Sequence, residues 1–141
     1  MSQFCLHPQL VADTLVLGEL PLCLVLLAND SQYPWLILVP KLAELREIHH
    51  LSESDQQQLM RESCAVAALL ESELGAEKVN VAALGNMVAQ LHVHHVARFS
   101  SDAAWPAPIW GKHPAQPYAD SGEQVSLWQR RLSAIEGFTT T

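Results

Sequence analysis

Cysteine is scarce in this chain, and positive charge is scarcer than negative. The three cysteines, Cys5, Cys23 and Cys64, lie far apart with no C-x-x-C spacing. An odd, scattered set argues against a disulfide framework and against a cysteine zinc site. Eight Lys and Arg stand against fifteen Asp and Glu, a formal net charge of −7. That balance argues against broad electrostatic binding to nucleic acid or to anionic lipid. It leaves room for a small anionic ligand, because backbone N–H groups, helix ends and histidines bind phosphate locally. Long hydrophobic runs are missing as well. The runs "LCLVLLA" and "WLILV" are far too short to cross a bilayer. The N-terminal "MSQFCLHPQLVADT" shows neither a basic n-region nor a long apolar h-region. The expectation is a soluble, cytoplasmic protein with no membrane partner.

What is present is apolar. Nearly half of the 141 residues are hydrophobic and 16% are charged, so the chain reads as one globular domain. "DTLVLGEL", "LCLVLLAND" and "WLILVP" are short Leu/Ile/Val-rich runs bounded by Gly, Pro, Asn and Asp, and they predict consecutive antiparallel strands. The cluster Asn29-Asp30-Ser31 reads as a turn. "KLAELREIHHL" predicts a short helical turn. "LSESDQQQLMRESCAVAALLESELG" is the clearest helix. Ser52 and Asp55 form a capping-box pattern, and Gly75 sits where a terminating glycine belongs. Leu59, Ser63, Val66, Leu70 and Leu74, with Met60 and Ala67 beside them, predict its buried face. "EKVNVAAL", a "GN" turn and "MVAQLHVHHVARF" predict a hairpin. After residue 104 the chain turns Pro- and Trp-rich, and "QVSLWQRRLSAI" predicts a final helix.

The stretch "QLHVHHVARF" places His92, His94 and His95 within four residues. On a strand, alternate side chains share a face. Gln90, His92 and His94 then look one way, and Leu91, Val93 and His95 look the other. Three readings are open. The histidines are ordinary surface or core residues. Or His92 and His94 chelate a metal, with a third ligand from His7, His49, His50 or an acid. Or one is a nucleophile that attacks phosphorus while neighbours fix its tautomer and hold the phosphate oxygens.

The segment "GNMVAQLHVHHVAR" resembles the motif of the histidine-triad (HIT) superfamily of nucleotide hydrolases and transferases, His-φ-His-φ-His-φ-φ with φ apolar. "LLANDSQYPWLILVPK", "LSESDQQQL" and "KVNVAALGN" resemble the flanking segments in order and spacing, so the likeness covers roughly residues 10 to 100. The resemblance implies an α+β fold with an antiparallel meander sheet, one main helix and a homodimer. It implies a HIT-like domain over residues 1–104 and a C-terminal extension over residues 105–141. It makes His92 the nucleophile and His94 a phosphate contact that helps to protonate the leaving group. It makes Asn29 a ribose ligand, Asn80 a contact on the phosphate or leaving-group side, and Asn86 the polar residue of the turn before the triad.

Two departures stand out. Gln90 occupies the first triad position, and Trp35 stands where the family often has histidine. Both changes together point to a repacked brace around the nucleophile. Trp105 and Trp110 either stack on a base or pack. The implied activity is hydrolysis of a dinucleoside polyphosphate or nucleoside phosphoramidate through a nucleotidyl-histidine, with no cofactor and no metal. The alternative is a nucleotide-binding relative with little turnover.

Overall fold

The computed structural model describes residues 3–141. A short helix α1, Pro8–Asp13, comes first and was not expected from the sequence. His7 caps it, with Nδ1 accepting from the Gln9 N–H at 3.0 Å, and Pro8 sits where a missing N–H does no harm. Strands β1 (Thr14–Glu19), β2 (Cys23–Ala28) and β3 (Trp35–Pro40) follow as a meander. The 22-residue helix α2, Glu53–Leu74, then crosses to β4 (Lys78–Ala82), and β5 (Val93–Arg98) returns. The order across the sheet is β1-β2-β3-β5-β4, antiparallel throughout. The meander thus holds for three strands. β5 inserts between β3 and β4.

Register divides the sheet into two faces. Leu26 pairs with Ile37, and Ile37 pairs with His94, so these three share one face. Leu27, Leu36 and His95 share the other, under α2. The main core lies there, with Val25, Leu36, Leu38 and Val93 packed against Leu59, Val66 and Leu70. Ser52 caps α2 as the capping-box pattern predicts, its hydroxyl accepting from Asp55 N–H, and Gly75 ends it at φ 69°. The buried stripe differs from expectation at three positions, one of them Leu69, which is buried. Met60 is exposed, and Glu62 is buried instead. The Glu62 carboxylate accepts the backbone N–H groups of Leu22 and Cys23, which compensates its burial. The same proximity, with burial as the larger cause, pushes the Cys23 thiol pKa well up.

Three further expectations shift. "KLAELREIHHL" is irregular apart from a single 3-10 turn, Ile48–His50. The β4–β5 connection is not a tight turn at Gly85-Asn86. It runs from residue 83 to 92, because β5 starts only at Val93. The last helix, α3, is Ser121–Leu132, set by Asp120, whose carboxylate accepts from Glu123 N–H at 3.0 Å. Trp128 and Leu132 of α3 belong to the main core, so residues beyond 104 complete the packing rather than hang from it. Thr139 then exchanges two backbone hydrogen bonds with Glu19, at 2.8 and 2.9 Å, along the outer edge of β1.

Candidate active site

A cavity of about 610 Å³ opens on the face away from α2. Its floor is sheet, from Ala28, Trp35, Ile37 and His94, and α1 supplies Leu10 and Ala12. The β4–β5 loop contributes residues 84–88, and the proline-rich strap contributes Trp110, Ala115 and Pro117. Arg98 holds this strap in place. Its guanidinium donates to both oxygens of Asp102 at 2.8 and 3.0 Å and to the Ala107 carbonyl at 2.8 Å. That pairing, with backbone N–H groups around the carboxylate, holds the Asp102 pKa at about 2.

His92 and His94 meet at the cavity, rings 4.9 Å apart and tilted by 74°. His95 does not join them. It is fully buried on the other face, with Nε2 2.7 Å from Ser63 Oγ of α2. Each cavity histidine has its tautomer fixed. His92 Nδ1 lies 2.7 Å from the Gln90 carbonyl oxygen. A carbonyl only accepts, so Nδ1 donates and Nε2 of the neutral ring keeps its lone pair. His94 Nδ1 lies 3.0 Å from Trp35 Nε1. An indole N–H only donates, so His94 Nδ1 accepts and its proton resides on Nε2. Burial, with His92 and His95 nearby, lowers the His94 pKa to about 3. The site therefore pairs a ring with a free nitrogen lone pair and a neutral ring with an N–H to donate.

The polar residues implied by the resemblance separate. Asn29 and Asn86 line the cavity. Asn29 Oδ1 accepts from Tyr118 N–H at 3.0 Å, which ties the strap to β2. Asn80 does not line it. Its Oδ1 accepts from Arg98 at 2.7 Å, which makes it part of the strap anchor instead. The expected shared face of Gln90, His92 and His94 also fails at its first member. Gln90 lies three residues before β5 and does not line this cavity. Its amide donates to the Cys5 carbonyl and accepts from His7 N–H, both at 2.9 Å. The expected joint brace is divided: Trp35 orients His94, and the Gln90 main chain orients His92.

Several lining residues escaped the sequence reading. Asp30, in the turn cluster, is buried and accepts from Gln32 N–H at 3.0 Å and Gln116 N–H at 3.3 Å. Trp110 packs on His94 with centroids 5.2 Å apart and on Trp35 at 6.3 Å, so it forms wall. Trp105 lies outside this cavity, with the Arg98 guanidinium 5.7 Å from its ring centroid. Among the described residues no group of three His, Cys, Asp or Glu is placed to hold a metal ion. Among the same residues no helix is long and apolar enough to cross a membrane.

Comparison with known proteins decides the family. The HIT domain matches residues 9–101. The chain belongs to the HIT domain family. The fold of a histidine triad protein from Marinobacter aquaeolei is similar to this HIT chain at TM-score 0.88 and 48% identity, covering 94% of this chain and 96% of that one. A histidine triad protein from Bradyrhizobium japonicum gives 0.88 at 43% identity, covering 94% and 98%. A HIT protein from Sinorhizobium meliloti gives 0.87 at 43%, covering 93% and 96%. A comparison with curated proteins found no match. These similarities span α3 and the strap as well as the HIT domain. Membership places the chain in a superfamily of nucleotide hydrolases and transferases.

Proposed function

We propose that this HIT protein hydrolyses a nucleoside phosphoanhydride or phosphoramidate through a nucleotidyl-His92 intermediate. One observation carries the reading: the Gln90 carbonyl holds His92 Nδ1–H, which leaves Nε2 as a nucleophile at the cavity wall. His92 Nε2 attacks the α-phosphorus, a P–N bond forms, and the bond to the leaving group breaks. Water then cleaves the P–N bond and releases nucleoside monophosphate. His94 donates its Nε2–H to a phosphate oxygen as charge develops there. It is a poor general acid, because a second proton loss would leave an imidazolate. The cavity volume suits a nucleoside. Asn29, with Oδ1 taken by Tyr118, offers its amide N–H₂ to the ribose, and Asn86 stands at the phosphate end. This chemistry calls for no organic cofactor.

The reading includes a homodimer. β1 has the end of its outer edge bridged, Glu19 with Thr139, whereas β4 pairs only with β5 among the described residues. Val81, Leu84 and Met87 are exposed along and beyond that open edge, Met87 at 95%. An uncovered, apolar strand edge favours pairing with another chain.

Brief mixing with adenosine 5′-phosphoramidate or diadenosine triphosphate, followed by intact-mass analysis, tests the chemistry. An adduct of nucleotidyl mass on His92, absent in His92→Asn, is expected. Turnover that survives His92→Asn unchanged rejects the mechanism.

A further inference from the structure

His92 borders two cavities. The second is smaller, about 210 Å³, and lies between Arg46–His49 and the loop carrying Leu84, Gly85 and Gln90. His92, Leu84 and Gly85 line both. The two spaces differ in charge. The larger has Asp13 and Asp30 in its walls and no Lys or Arg. The smaller has Arg46, with His49 as a further nitrogen donor and Glu47 as its one acid. The ion pairs among the described residues are Lys41–Glu19 and Arg98–Asp102, so Arg46 is paired with neither Glu47 nor any other acid.

A second observation bears on the same choice. With Nδ1 accepting from Trp35, His94 has one proton, on Nε2, and serves as a hydrogen-bond donor. An amine leaving group must gain a proton as its bond to phosphorus breaks. A phosphate leaving group departs as a stable anion without one, and what it needs is a cation to receive it.

We propose that the smaller cavity receives the leaving group, and that Arg46 favours an anionic one, the phosphate end of a nucleoside phosphoanhydride, over a neutral amine. The inference rests on the nucleotidyl-His92 reading and names its substrate class. As His92 Nε2 bonds to the α-phosphorus, the bond from phosphorus to the bridging oxygen breaks. Its electron pair leaves on that oxygen, within the smaller cavity. Arg46 is exposed and outside every helix and strand, so replacing it leaves the fold intact.

The test compares diadenosine triphosphate with adenosine 5′-phosphoramidate in wild type, Arg46→Gln, Arg46→Lys and His49→Gln. The ratio of kcat/KM for the anhydride over the amidate is expected to fall at least tenfold in Arg46→Gln and to recover in part in Arg46→Lys. An unchanged ratio overturns the proposal. So does amidate turnover as fast as the anhydride's by a route lost in His49→Gln, since His49 would then supply the proton. If neither compound turns over in wild type, the hydrolase reading fails, and equilibrium binding still decides the subsite. ADP should bind at least tenfold tighter than AMP to wild type, with the advantage lost in Arg46→Gln. Equal affinity for the two overturns the anionic subsite.

Discussion

Trp35 donates its indole N–H to Nδ1 of His94 across 3.0 Å, from the neighbouring strand. The bond settles which His94 nitrogen bears hydrogen, and it opposes protonation at Nδ1. Removing it without removing the ring isolates that effect. Trp35→Phe should keep the aromatic wall yet lower kcat/KM on the order of tenfold, the worth of one hydrogen bond in a transition state. Nitrogen-15 NMR of the His94 ring should show a single Nε2–H tautomer in wild type and a mixture in the variant. A single tautomer in both would mean that Trp35 is only packing.

Buried neutral histidines make the protein sensitive to acid. The pKa values of His94 and His95 are lowered from 6.5 to about 3 and about 4, in both cases chiefly by burial. Above pH 6.5 neither the folded nor the unfolded chain protonates them. Below it the unfolded chain binds protons that the folded chain refuses, so stability falls as pH falls toward the folded values. By pH 4 the loss is on the order of 3 kcal/mol for each ring, at about 1.4 kcal/mol per pKa unit. Urea denaturation at pH 7 and pH 4.5 should show the drop. His95→Gln should remove roughly half of it, provided that the Ser63 contact tolerates the change.

Gln90 separates side chain from main chain. Its amide clamps Cys5 and His7, and its carbonyl holds His92. Gln90→Ala should cost about 1 kcal/mol of stability. It should also speed hydrogen exchange at the His7 amide. Its effect on kcat/KM should be much smaller than that of Trp35→Phe, because the carbonyl remains. An equal or larger loss of turnover would assign the side chain a direct part in orienting His92.

Much of the fold was legible because its signals are local. Ser52, Asp55 and Gly75 mark the ends of α2 through hydrogen bonds within one turn. The Leu/Ile/Val runs between Pro, Gly and Asn mark β1 to β3. His92 and His94 were paired correctly from their spacing, and His95 was separated from them. Gln90 is misplaced because β5 begins only at Val93. Two residues before it, Leu91 N–H turns to the Leu45 carbonyl at 2.9 Å, a partner 46 positions away in sequence. Asn80 was misplaced because its partner, Arg98, depends on the β4–β5 register. The wall formed by Trp110 was beyond periodicity altogether. It lies in a proline-rich strap that has no repeat to read and is fixed by Asp102 and Arg98.

The sheet has one sealed edge and one open edge. Thr139 occupies the outward hydrogen-bonding groups of Glu19, at the end of β1. β4 is the edge strand with no such bridge among the described residues. Two chains joined β4 to β4 would spend their single open edges on each other, and each end of the joint sheet would carry its own stopper. In such a pair a further strand would meet Thr139 already bonded to Glu19 at either outer edge.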